Sequence, residues 1–215
     1  MEQSMILNFF GGVAQDGASL AIDFEKVLYE LTRWFLPIGV CLLAEGVWLE
    51  KWRNIEPLAC YRYISMQRWW RRKFFRGLLN GILTAAVLFI AAMAADIVNA
   101  GRLPEEGWKV FALWFAHAIS IMTFFLVLDL TRIRKFAPAA LLLLEGVTFL
   151  LGFSNMRTAR FMYGMWGMYF QSEWYFGEMG VSVLSSLSME MALIAFGYLI
   201  KGIMWERKGA FVCQK

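Results

Sequence analysis

Five apolar runs of membrane-spanning length dominate the sequence. A helix rises about 1.5 Å per residue, so about 20 apolar residues cross a hydrocarbon core of about 30 Å. The runs are Trp34–Leu49, Gly77–Val98, Trp108–Leu130, Pro138–Phe153 (a short one) and Val181–Met204. In lipid the backbone must satisfy its own hydrogen bonds, which leaves helices or a closed barrel. Runs this long specify helices, and the expected fold is an all-α polytopic membrane bundle with five firm transmembrane helices. Composition agrees, with 60% apolar and 18% charged residues, against about 45–50% and about 25% in soluble domains. A soluble globule, a disordered chain, a coiled coil and a collagen are thereby excluded. Trp34, Trp48, Trp108 and Trp205 sit at run edges, as interfacial anchors do. Residues 1–215 read as one transmembrane domain. It comprises an amphipathic N-terminal segment (1–33), a helix bundle (34–205) and a tail (206–215).

The N-terminal segment divides in two. Residues 5–22 form a weak sixth candidate span, interrupted by Asn8, Gly11, Gly12, Gln15, Asp16, Gly17 and Ser19. Over Ser19–Leu31, Leu20, Phe24, Val27, Leu28 and Leu31 share one helical face, which predicts an amphipathic helix lying in the interface. No basic n-region or small-residue cleavage site of a signal peptide is present. Of the 21 lysines and arginines, 15 fall in the loop after the first run, the loop after the third, and the C-terminal stretch. By the positive-inside rule these segments are cytoplasmic, and the C-terminus with them. The lack of a signal peptide and the short loops suit a bacterial inner membrane.

Candidate chemistry is sparse. Cys41, Cys60 and Cys213 have no metal-site or disulfide spacing. His117 is the sole histidine, which excludes a bis-histidine haem on this chain. No nucleotide-binding or hydrolase motif occurs, so no catalytic residue, metal or cofactor is expected on this chain and an autonomous enzyme is not. The ionisable residues within the runs are Glu45, Asp96, His117, Asp129, Glu145 and Glu190. Asp96 and Asp129 lie near run ends, within expected reach of water. Glu45 and Glu145 lie about 7–10 Å from the cytoplasmic ends. His117 and Glu190 share a depth from the outer face, which makes a pair between them geometrically feasible. Such residues mark interhelical hydrogen bonds by neutral carboxyls or a proton relay.

Two connecting segments stand out. Glu50–Arg76 alternates arginine with Tyr61, Tyr63, Trp69, Trp70, Phe74 and Phe75. Pro57 can open a helix at its first turn, and Leu58–Phe75 holds neither Gly nor Pro. A short interfacial helix followed by a basic elbow is expected there. It would anchor on anionic headgroups or dock a cytosolic partner; nucleic acid is not expected. On the outer side, Asn155–Gly180 is too apolar for an aqueous loop, with Met162, Tyr163, Trp166, Tyr169 and Trp174. It reads as a re-entrant pair of short helices, either an aromatic belt or a gate for an amphipathic substrate.

The order of these elements resembles the ABC-2-type permeases, the membrane subunits of ATP-driven exporters. The resemblance covers residues 34–205. Phe35-Leu36-Pro37-Ile38 opens the span before the loop. Glu50-Lys51-Trp52-Arg53 is similar to the start of that family's coupling segment. Arg62-Tyr63-Ile64-Ser65 with Arg68-Trp69-Trp70 and Lys73 resembles the pattern leading into its next span. Lys201-Gly202 with Trp205-Glu206-Arg207-Lys208 is like its basic tail. The family has six spans, whereas this chain has five firm ones.

The resemblance implies ATPase coupling through Pro57, Tyr61, Arg62, Tyr63, Ser65, Arg68 and Trp69. It implies a separate ATP-binding cassette subunit carrying ATP and Mg, a second permease subunit, and a peptide, antibiotic or lipid-like substrate. Three other classes fit the same residues. One is a membrane immunity or sensor protein that binds a peptide at 155–180. The others are a vitamin-importer binding subunit and a proton-coupled carrier working through Glu190 or His117.

Overall fold

The computed structural model describes residues 4–13, 24–62, 66–131, 133–154 and 159–212. It is helical throughout its named elements. A six-residue helix, α1 (Met5–Phe10), is followed by two very long ones, α2 (Phe24–Arg62) and α3 (Met66–Ala100). Then come α4 (Gly107–Leu128) and α5 (Ala137–Ser154). Two four-residue helices, α6 (Tyr163–Trp166) and α7 (Glu173–Phe176), precede α8 (Val183–Val212).

Among the described residues, three helices are long and apolar enough to cross a membrane: Glu25–Asn54, Arg68–Ala100 and Gly107–Leu128. The expected fourth and fifth spans correspond to shorter apolar stretches, Ala137–Gly152 and Val183–Leu199. Large apolar side chains point outward along these helices, among them Leu43, Val47, Leu83, Val87, Leu143 and Leu184. A helix that is apolar on its outer face as well as its inner one needs lipid around it. The chain is a helical membrane protein.

α4 is the central helix and packs on α2, α3, α5 and α8. Its inward side chains include Leu113, Trp114, His117, Ile121 and Phe125. α3 approaches it closely through Gly77 and Gly81. A Cβ on Gly77 would stand 2.7 Å from Leu126, and one on Gly81 2.7 Å from the Met122 sulfur. Two glycines four residues apart let helix backbones meet where lipid offers no hydrophobic drive.

Several expectations change. Residues 5–10 make only one and a half turns, about 9 Å, and Gly12 follows with φ +87°. So short a helix cannot cross, and residues 14–22 of the weak sixth span lie outside the described residues. Residues 24–31 are not a separate interfacial helix, because α2 runs unbroken through them. The expected short helix over 58–75 is likewise absent as a unit. Residues 50–62 continue α2, and 66–76 begin α3. Pro57 lies inside α2 instead of opening a helix. It frees one carbonyl, a tolerable cost where the polar end of a long helix leaves the hydrocarbon.

Candidate functional site

The centre of the bundle holds three ionisable side chains from three helices. His117 of α4 lies between Glu145 of α5 and Glu190 of α8. Its Nδ1 is 2.8 Å from Glu190 Oε1. Its Nε2 is 3.0 Å from each oxygen of Glu145. All three side chains are fully buried. The expected His117–Glu190 pair is present, and Glu145 joins it from a helix the sequence reading had not placed at that depth. Trp34 of α2 donates its indole N–H to Glu145 Oε1 at 3.0 Å. The Tyr163 ring lies 4.7 Å from the imidazole, and its hydroxyl is 2.8 Å from Ser120 Oγ. Glu190 Oε2 is buried and has no hydrogen-bond partner among the described residues. His117 is the eleventh residue of the 22 in α4. It therefore sits about 15 Å from either end, at the middle of a hydrocarbon layer of about 30 Å. An ionisable group at that depth costs about 2.5–3.5 kcal/mol on insertion scales, which makes such a cluster a functional candidate.

The segment 159–182 seats itself on this triad. A Cβ on Gly164 would lie 2.3 Å from the Glu145 carbonyl oxygen, and one on Gly167 2.5 Å from His117 Cβ and Cγ. The Gly164 N–H donates to Thr148 Oγ1 at 2.9 Å. Only glycine allows so close an approach. Of the residues expected to form an outer gate, Tyr163, Trp166 and Tyr169 are buried inward, while Met162 and Trp174 are partly buried. Trp174 packs on Trp108, ring centroids 5.3 Å apart. Burial, with Glu106 and Tyr175 nearby, raises the Tyr169 phenol above its ordinary value.

A second network closes the end of the bundle that carries most of the basic residues. Asp129, at the end of α4, accepts from Lys73 Nζ of α3 at 2.8 Å and from Arg53 Nε of α2 at 2.7 Å. Lys73 is fully buried, and Asp129 is 4% exposed. The expectation that Asp129 reaches water is therefore wrong. Its two cations come from helical continuations that the sequence had presented as a loop. Asp96 is also buried, at 2% exposed. It accepts from Ser4 Oγ, Met5 N and Ile6 N and so fastens α1 to α3. Between the two networks, Asn80 donates to Glu45 Oε2 at 2.8 Å, leaving Glu45 Oε1 buried without a partner among the described residues.

The expected coupling residues separate. Pro57, Tyr61 and Arg62 lie in the last turns of α2, with side chains outside the described residues; Tyr63 and Ser65 lie outside them altogether. Arg68 is exposed at the start of α3. Trp69 is fully buried and lies 5.1 Å from Lys73 Nζ. Arg68, Arg71, Arg72, Phe75 and Arg76 line a surface cleft of about 510 Å³. A second cleft of about 470 Å³, apolar and lined by Phe89, Ile90, Met93, Leu103 and Phe111, lies between α3 and α4.

The fold and the buried triad define a polytopic α-helical membrane protein with an ionisable core. Comparison with protein-family models, curated proteins and solved structures finds no match to this chain.

Proposed function

We propose that this chain is the membrane permease subunit of an ATP-driven exporter of the ABC-2 type. It would sit in a bacterial inner membrane with its basic end and C-terminus in the cytoplasm. The observation that carries the reading is the α2–α3 hairpin. Its helices have 39 and 35 residues, about 58 and 52 Å at 1.5 Å each. A hydrocarbon core of about 30 Å leaves their joined ends standing clear of the bilayer. Those ends carry Arg62, Arg68, Arg71 and Arg72. A separate ATP-binding cassette subunit, holding ATP and Mg, grips this tip. The Arg53–Asp129–Lys73 tie passes its movement from α2 and α3 to α4.

ATP binding then shifts the population between two bundle arrangements, because the ATPase dimer binds one of them better. A peptide, antibiotic or lipid-like substrate leaves between this subunit and a second permease, with 159–182 as the re-entrant outer element. The peptide-sensor reading draws no support from Tyr163, Trp166 and Tyr169, which are buried.

Charge reversal at Arg68 and Arg71 tests the reading. The expected result is loss of substrate-stimulated ATP hydrolysis in the purified complex, with the bundle still folded. Unchanged stimulation would refute docking at the tip. Trp69 is not a docking residue under this proposal, since its side chain faces the bundle.

A further inference from the structure

The triad has a proton count that can be followed atom by atom. Both ring nitrogens of His117 face carboxylate oxygens, so each of the two contacts needs one proton between nitrogen and oxygen. With two protons the three groups together carry one net negative charge. No lysine or arginine pairs with Glu145 or Glu190 among the described residues. A third proton makes the triad neutral. Glu190 Oε2, fully buried and without a partner among the described residues, is the atom left to take it. The two carboxylates sit on opposite nitrogens, so one metal ion cannot take the histidine and both acids. No metal-holding group of three such side chains occurs among the described residues.

We propose that His117, Glu145 and Glu190 form a proton-binding site at the middle of the membrane, loaded at Glu190 Oε2 and sealed by the glycine-seated segment at 163–167. The groups facing it are the Trp34 indole from α2, Ser120 from α4 and the Tyr163 phenol from α6, besides its own members. None of these three supplies a third carboxylate or a cation. Loading adds one proton to a carboxylate oxygen and moves the triad from one negative charge to none. The proton enters from water when α6 lifts from Glu145 and His117. The inference is independent of the permease reading, because it concerns occupancy of the site and not an ATPase.

The test is infrared titration of the full chain in lipid vesicles, following the carboxylic-acid C=O stretch over about pH 5 to 9, with proton uptake counted by an indicator dye. The expected result is a band that grows with acidification by one proton per chain. It disappears in Glu190→Gln and survives in Glu178→Gln, an exposed control. Thr148→Val, which removes the acceptor for Gly164 N–H, should bind the same single proton but exchange it faster after a pH jump. Should Glu190→Gln not fold, the wild type and Glu45→Gln decide: a one-proton band that survives Glu45→Gln is expected, and no titrating band in the wild type, or loss of the band in Glu45→Gln, overturns the proposal. A band that persists in Glu190→Gln and is lost in Glu45→Gln places the proton at Glu45 and also overturns it. An unchanged exchange rate in Thr148→Val overturns the seal.

Discussion

Removing Asp129 should damage the protein more than removing the lysine it pairs with. Asp129→Leu leaves Lys73 fully buried without its only hydrogen-bond acceptor among the described residues. Arg53 loses the same partner, but its side chain is 27% exposed and can turn to water. Breaking a buried pair from one side costs about 3–5 kcal/mol, because the remaining charge is uncompensated. Lys73→Met leaves Asp129 still held by Arg53. It forfeits one charged hydrogen bond, about 1.5–3 kcal/mol. The double variant removes the stranded charge, so its cost should be no greater than that of Asp129→Leu alone. The cycle should then show a coupling at least as large as the cost of Lys73→Met itself, about 1.5 kcal/mol or more. Equilibrium unfolding in mixed micelles, read by tryptophan fluorescence, measures all four proteins. Additive losses, or Lys73→Met costing more than Asp129→Leu, would refute the claim that these helices are tied through a desolvated pair.

Three further outcomes are expected. Trp34→Phe keeps the ring but loses the bond to Glu145. It should cost about 1.5–3 kcal/mol, and in a Glu145→Gln background the same change should cost clearly less. Gly164→Ala places a methyl 2.3 Å from a backbone oxygen that cannot yield. It should cost at least about 1–3 kcal/mol and expose Tyr163, read as faster iodination of that ring. Asp96→Ala removes three acceptor contacts from α1. At about 0.5–1.5 kcal/mol each, amide exchange over Met5–Phe10 should speed up tenfold or more, while α4 amides stay protected.

The membrane class was legible because lipid imposes it on every apolar residue. Trp108–Leu130 matches α4 within two residues at each end, and Val98 lies two residues from the end of α3, which starts eleven residues before Gly77. The ends were harder. Residues 50–62 are charged, and charge marks the edge of the hydrocarbon but not the end of a helix. Pro57 looked like a beginning because a helix tolerates proline best there. That error hid the Asp129 network, whose cations Arg53 and Lys73 stood in apparent loop.

Depth counting joined His117 to Glu190 but missed Glu145. Counting from run ends assumes that every span starts in one plane, and α5 follows an eight-residue turn after α4 that need not bring it back there. The aromatic outer segment was visible as unusual, yet its inward direction was not. The available signal was the spacing Gly164-Met165-Trp166-Gly167, two small residues able to sit on the middles of α5 and α4 beneath them.

The permease assignment meets its most direct test in purification of the tagged chain from its own membranes in mild detergent. The account predicts that a subunit with a phosphate-binding Walker A sequence co-purifies in stoichiometric amount, hydrolyses ATP, and is released by charge reversal at Arg68 and Arg71. A homogeneous preparation of this chain without any such subunit, from cells that express the neighbouring genes, would contradict it.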